Sequence, residues 1–281
     1  MYFIYGRKKL MKKRAMAAVS AVMCASMVLS ACGSSASTST TAAPAETKAA
    51  EESKTEETTA AAASGDVVTI NIGFENTTEE PIGQAVEKWA ELLKEESNGT
   101  MELKVFANSA LGNKSKLIDQ MVMGENVITI ADGAFYADYG VPDLGILYGP
   151  FFFDNWDEVW KLIDSDWYKE QCSKLADKGL TVLGSNWVYG ERELMTKDKA
   201  VVPADIKGKK IRLANSQIYV EGFNALGATA VPMALGDVYT ALQNGTLDGV
   251  ENPLSTLYGQ SFQEVTKNIL MTGHILNFTT W

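Results

Sequence analysis

One histidine, His274, and three cysteines are the whole supply of imidazole and thiol in 281 residues. A Cys/His metal site and a Ser-His-Asp triad therefore both lack support, and metal binding through carboxylates is the form left open. Cys24 and Cys32 stand near the start and Cys172 stands alone, so the body of the chain cannot close an internal disulfide. Among Trp167, Leu175 and Leu180, Cys172 reads as a small buried hydrophobe and not as a nucleophile. Basic residues are also in deficit, 25 Lys and Arg against 35 Asp and Glu, for a formal charge of −10. Such a balance argues against nucleic acid as a partner and against broad contact with anionic lipid. It does not exclude an anionic ligand, because one arginine in a cleft sets the local potential. No long apolar run is present either. The stretch from Ala15 to Leu29 has about 15 residues, short of the roughly 20 that a spanning helix needs.

That short stretch has a clear context. Arg7, Lys8, Lys9, Lys12, Lys13 and Arg14 precede it, and Leu29-Ser30-Ala31-Cys32 follows. Basic, apolar, then small residues before a cysteine is the pattern of a bacterial lipoprotein signal peptide, here 1–31, with Cys32 the acylated first residue of the mature chain. A short membrane anchor is the alternative. Met11-Lys12-Lys13-Arg14 already makes a complete basic region, so translation from Met11 is a second start. Loss of residues 1–31 removes six basic groups and no acidic one, which leaves 19 against 35 and a formal charge of −16. Residues 32–65 hold mainly Ser, Thr, Ala, Glu and Lys, with one proline and no aromatic residue. Such a composition cannot offset the entropy of ordering a backbone, and it reads as a solvated tether.

The remaining residues, 66–281, suffice for two lobes. Val67–Phe74 is rich in β-branched residues, and Ile82, Val86, Trp89, Ala90 and Leu93 recur at helical spacing over 82–96. Strands are predicted at 101–106 and 127–130, with a helix over 114–123 between them. This β-α-β-α-β order predicts a mainly parallel sheet. A helical stretch is predicted over 156–176 and a strand over 181–187, leading into Tyr189-Gly190-Glu191-Arg192. A second α/β unit follows, with strands at 210–213, 228–232 and 247–252 and helices at 216–226 and 237–243. Two α/β lobes whose strands end in polar residues predict a ligand cleft between them. Arg212 ends the first strand of the second unit, and a guanidinium there suits two-point capture of a carboxylate.

Pro203-Ala204-Asp205-Ile206-Lys207-Gly208-Lys209-Lys210-Ile211-Arg212, Ala225-Leu226-Gly227-Ala228, Pro232-Met233 and the run from Gly236 through Glu251-Asn252-Pro253 carry a likeness. Together with Asn108–Gly112 and Gly273-His274, they resemble the substrate-binding component of the tripartite ATP-independent periplasmic (TRAP) transporters, the DctP family. The resemblance implies an α/β, two-lobe fold of the periplasmic-binding-protein kind that closes on an organic acid anion, a C4-dicarboxylate or a sugar acid. It implies delivery to the permease subunits of a sodium-coupled TRAP transporter at the extracytoplasmic face of the cell membrane. No enzyme activity, cofactor or metal is implied. Carried over residue by residue, Arg212 of Lys-Ile-Arg clamps the carboxylate, Arg192 of Gly-Glu-Arg is an accessory arginine, and Asn252 of Glu-Asn-Pro faces the ligand. Asp132, at the end of the third strand, is a candidate polar contact. Trp187 and Phe151 are candidate cleft walls, while Phe152 and Phe153 are expected in the core.

Other readings stand beside these. Arg212 could form a structural ion pair with Glu251 or Asp237, and Arg192 could sit on a solvated face beside Glu191 and Glu193. The Pro232-Met233 turn reads as structural, setting the start of the next helix. A hydrolase or isomerase acting on acidic sugars from the same tether, or a ligand sensor on the same fold, are the alternative functions. On the family's layout, 66–189 forms lobe 1, 190–277 lobe 2, and 278–281 starts the crossing back. Family members continue for several dozen residues, so this layout predicts a C-terminally truncated lobe 1 with an unpaired sheet edge.

Overall fold

The computed structural model describes residues 66–281. The readings of 1–31 as a signal, Met11 as a start, Cys32 as the lipid site and 32–65 as a tether lie outside the described residues. Among the described residues, no helix is long and apolar enough to cross a membrane.

Strand β1 (Val68–Gly73) is followed by helix α1 (Pro81–Glu96), with proline in its first turn, where a missing N–H costs no hydrogen bond. Then come β2 (Met101–Phe106), α2 (Lys114–Val122), β3 (Val127–Thr129) and the short α3 (Gly133–Asp138). Asn113 caps α2 by accepting from the Lys116 N–H. The three strands form a parallel sheet in the order β2-β1-β3. Ile72, Phe74, Ile82, Val86 and Leu103 form its core.

Two expectations for the next segment need correction. The helical stretch over 156–176 is two helices, α4 (Trp156–Ile163) and α5 (Asp166–Ala176), because Ser165 turns out and caps the second through the Tyr168 N–H. No strand forms over 181–186. Among the described residues its β-branched residues find no partner strand, and the backbone hydrogen bonds there run between Leu183, Gly184 and Trp281. The strand begins at Trp187 and runs to Thr196 as β4, so Arg192 lies inside a strand and not beyond its end. Phe152 is also misplaced by the sequence reading. It is 46% exposed, while Phe153 is half-buried and packs on the core.

The second sheet is built from β5 (Lys210–Leu213), β6 (Thr229–Pro232), β7 (Gly249–Pro253), β4 and β8 (Asn268–Thr279). Helices α6 (Gln217–Ala225), α7 (Val238–Gln243) and α8 (Leu254–Gly259) connect and cover them. The order is β6-β5-β7-β4-β8. The first three strands are parallel and the last two are antiparallel additions. β4 and β8 form a long ribbon, from Trp187 opposite Thr279 to Thr196 opposite Asn268. Its register shifts between Val188 and Gly190 and again between Arg192 and Leu194. One end of the ribbon is rooted in the first lobe. Trp187 and Trp281 meet edge to face, their ring centroids 5.2 Å apart, within the core around β1, and Thr280 bridges to Ala131 just beyond β3. The division expected between 189 and 190 thus falls inside β4.

Candidate functional site

The C-terminal ends of parallel strands from both sheets face one cavity of about 180 Å³. Glu75 follows β1, Asn113, Lys114 and Ser115 open α2, Ala214 and Asn215 follow β5, and Met233 and Ala234 follow β6. This is the crevice that an open α/β sheet leaves for a ligand.

Arg212 lines it. Its side chain is 3% exposed, and among the described residues no carboxylate lies within 4.0 Å of the guanidinium. Nε and one terminal nitrogen donate to the Met233 carbonyl at 2.9 and 2.6 Å. Burial pulls the Arg212 pKa below its ordinary value, and the negative charges of Glu75 and Glu251 only partly offset this. An arginine stays protonated even so. The result is a buried cation, held in orientation by a neutral oxygen and without a paired anion. The Pro232-Met233 turn is therefore more than the start of a helix, since its carbonyl aims the guanidinium.

Asn252 shares a sheet face with Arg212. Arg212 pairs with Val250, and Asn252 lies two residues further along β7. It does not line the cavity. Its Oδ1 is buried without a hydrogen-bond partner, an arrangement that native interiors tolerate rarely. Asn252→Leu removes that orphan acceptor without breaking a bond. We expect the melting temperature of the chain to stay within a few degrees or to rise, read by thermal unfolding.

The neighbouring Glu251 points to the opposite face, and there it meets Arg192. The pair is bidentate: Arg192 Nε donates to Oε2 at 2.6 Å and a terminal nitrogen to Oε1 at 2.7 Å. The other terminal nitrogen donates to Asn277 Oδ1 at 2.7 Å, and the guanidinium lies 4.9 Å from the centre of the Tyr219 ring. Both partners are buried, so the solvated-face reading of Arg192 does not hold. The ion pair considered for Arg212 with Glu251 belongs to Arg192 instead. Burial works against the charge on Arg192, and Glu251 outweighs it, so the guanidinium is held more firmly protonated than usual. Burial pushes Glu251 up, but the charge and hydrogen bonds of Arg192, with His274, bring it down to about 2. His274 completes the group, with Nε2 3.3 Å from Glu251 and Nδ1 2.7 Å from the Thr272 hydroxyl.

Gly190, in the Gly-Glu-Arg run, has φ 131°, and a Cβ there would approach Pro253 to 2.9 Å. Glycine at this point lets β4 lie against the end of β7, which brings Arg192 to Glu251.

The other sequence candidates are placed elsewhere. Asp132 caps α3 through the Ala134 N–H, and its second oxygen accepts from Tyr219 at 3.1 Å and Asn277 at 3.4 Å. It ties the first lobe to α6 and β8 and does not line the cavity. Trp187 borders a separate concavity with Trp89 and Trp281. Phe151, 62% exposed with φ 60°, edges an apolar groove beside His274 and Phe223. Glu75 and Lys114 escaped the sequence reading, although both line the cavity. Lys114 Nζ stands 4.8 Å from the Phe135 ring centre. Asn113 ahead of the Lys114 helix was the available signal, since a capped helix start at a strand-end crevice presents its first residues to a ligand.

The model of the family DctP, bacterial extracellular solute-binding protein, family 7, matches residues 72–280. The 2,3-diketo-L-gulonate-binding periplasmic protein YiaO of Escherichia coli (strain K12) is 32% identical over 208 residues, which is 73% of this chain and 62% of that protein. The crystal structure of a TRAP periplasmic solute-binding protein from Ochrobacterium anthropi with bound L-fuconate superposes with a TM-score of 0.74 at 41% identity. It covers 76% of this chain and 71% of that one. A second, from Actinobacillus succinogenes 130Z with bound L-galactonate, gives 0.74 at 37% identity, covering 76% and 70%. The chain spans about 62% of the length of the first curated relatives that it matches.

Proposed function

Because the chain belongs to the DctP family of bacterial extracellular solute-binding proteins, family 7, we propose that it is an extracytoplasmic receptor for a small organic acid. The acid is a sugar acid or a C4-dicarboxylate, and the receptor hands it to the permease subunits of a sodium-coupled TRAP transporter. One observation carries the reading: a buried guanidinium, Arg212, lines the strand-end cavity with no carboxylate partner among the described residues. Desolvating such a charge is costly unless an anion joins it, and a ligand carboxylate meets a fixed fork with two aligned donors. Arg192 serves by shaping the sheet behind the site, and the chain itself performs no reaction. Cys32 is proposed as the lipid attachment that keeps the receptor at the membrane, and residues 33–65 as its tether. Loss of the acyl mass from Cys32→Ser would test that point.

The receptor reading is tested by thermal shift and titration of the chain with L-fuconate, L-galactonate, 2,3-diketo-L-gulonate and succinate. We expect one or more to raise the melting temperature. At a concentration of about 100 times Kd the added stability is about 2.7 kcal/mol. A folded chain that none of these acids stabilises would remove the carboxylate-receptor reading.

A further inference from the structure

Glu80 is 2% exposed, and among the described residues no cation lies within 4.0 Å of it. It sits in the connection between β1 and α1, in the first lobe, and its carboxylate meets the second. Oε1 accepts from the Thr77 N–H at 3.0 Å and from Gln260 Nε2 at 3.0 Å, and Oε2 accepts from Asn76 Nδ2 at 2.6 Å. Gln260 closes α8, the helix that follows the Glu251-Asn252-Pro253 strand. Asn76 also reaches across, donating to the Thr256 hydroxyl of α8 at 3.2 Å and to the Tyr189 hydroxyl at 2.8 Å.

The fit is close. A Cβ on Gly259 would stand 2.4 Å from Glu80 Cγ, so this approach of α8 depends on glycine at its last position. A carboxylate beside a helix C-terminus meets the negative end of the peptide dipoles. The contact therefore stands on directed hydrogen bonds from neutral donors and not on charge attraction, which makes it a contact that can open. On the first-lobe side it adjoins the cavity in sequence, since Asn76 directly follows Glu75, which lines it.

We propose that Glu80 is a positioning residue that clasps the two lobes together over the cavity and so sets how long a bound acid is retained. The proposal rests on the receptor reading for its functional part, and its structural part stands without a ligand. Glu80→Gln turns one acceptor oxygen into a donor facing donors, with little change of shape.

The test has two arms, both on the full 281-residue chain with thermal unfolding as a check of folding. In the first, without ligand, hydrogen exchange is followed in residues 75–80 and 254–260. The expected result for Glu80→Gln is that both segments lose protection together, by about tenfold in rate, while β1 and β5 keep theirs. Gln260→Ala should do the same, and the double variant should add little to either single one, because the two side chains share one contact. Loss confined to 75–80, or additive losses, would overturn the clasp. In the second arm, stopped-flow tryptophan fluorescence with L-galactonate and L-fuconate separates the rate constants. Dissociation should rise about tenfold in Glu80→Gln with association nearly unchanged, since interface changes act mostly on dissociation. Unchanged dissociation with a bound probe would overturn the functional part. If the native chain binds none of the four acids named above, the receptor reading fails while the exchange arm still decides the clasp.

Discussion

Arg212→Ala is expected, if the chain is the receptor proposed above, to weaken its binding of the acid by about a hundredfold to a thousandfold, the scale for removing one side of a buried charged hydrogen-bonded pair. The reason lies in the pairing of its donors. The Met233 carbonyl takes Nε and one terminal nitrogen, and among the described residues no carboxylate competes for the rest. Folding gains little from this residue, because a buried cation without an anion is close to neutral or unfavourable for stability. The ligand-free variant should therefore melt within a few degrees of the native chain. Arg212→Lys keeps the charge but not the fork, and Lys cannot both hold Met233 and present two aligned donors. It should recover only part of the affinity. Calorimetric titration with the acid found to bind decides the matter. Affinity retained within a factor of about three in the alanine variant would show that the carboxylate is held elsewhere.

Arg192 behaves in the opposite sense. Glu251→Gln or Arg192→Met should each cost about 3–5 kcal/mol of stability, because each leaves the other charge buried and unpaired. Replacing both by apolar residues should cost less than either single change, and urea unfolding of the three variants at pH 7 reads this directly. The same pair sets an acid limit. The folded pKa of Glu251, about 2, lies below its ordinary value of 4.5. A carboxylate depressed on folding contributes its stability in full above the ordinary value and loses it as the pH falls through the folded one. The native chain should therefore lose on the order of 3 kcal/mol between about pH 4.5 and pH 2 from this residue. Glu251→Gln should show a correspondingly flatter pH dependence across that window. An unchanged slope would mean that the charge of Glu251 is not coupled to folding.

The contrast between the two arginines shows where sequence reasoning reaches and where it stops. Strand and helix order was legible from β-branched runs and helical spacing. Arg212 was legible because it closes a short strand, where parallel sheets leave a crevice. Which arginine takes Glu251 was not, because that depends on which strands become neighbours and on the alternation of faces along β7. One residue of offset sends Glu251 to Arg192 and Asn252 to the other side. The cavity roles of Glu75 and Lys114 needed the relative placement of two sheets, which no local pattern encodes. The strand at 181–186 failed for a related reason: residue preference for β structure means little without a neighbouring strand to pair with. The aromatic residues misled most. Trp187 and Phe151 carried apolar bulk suited to a cleft wall, yet three tryptophans found one another first, and Phe151 stayed at a surface turn.

The ribbon of β4 and β8 has a mechanical consequence. Two antiparallel strands, rooted at one end in the tryptophan cluster and at the other in the five-stranded sheet, resist stretching because their backbone bonds lie along the load. They yield far more readily to torsion, and a paired ribbon twists more than a wide sheet does. The register slips on either side of Arg192 are points of low torsional stiffness, as bulges locally bend and twist a strand pair. Between them the Arg192–Glu251 fork acts as a rivet. Torsion, and not extension, is therefore the soft direction that this ribbon leaves to the two lobes it joins.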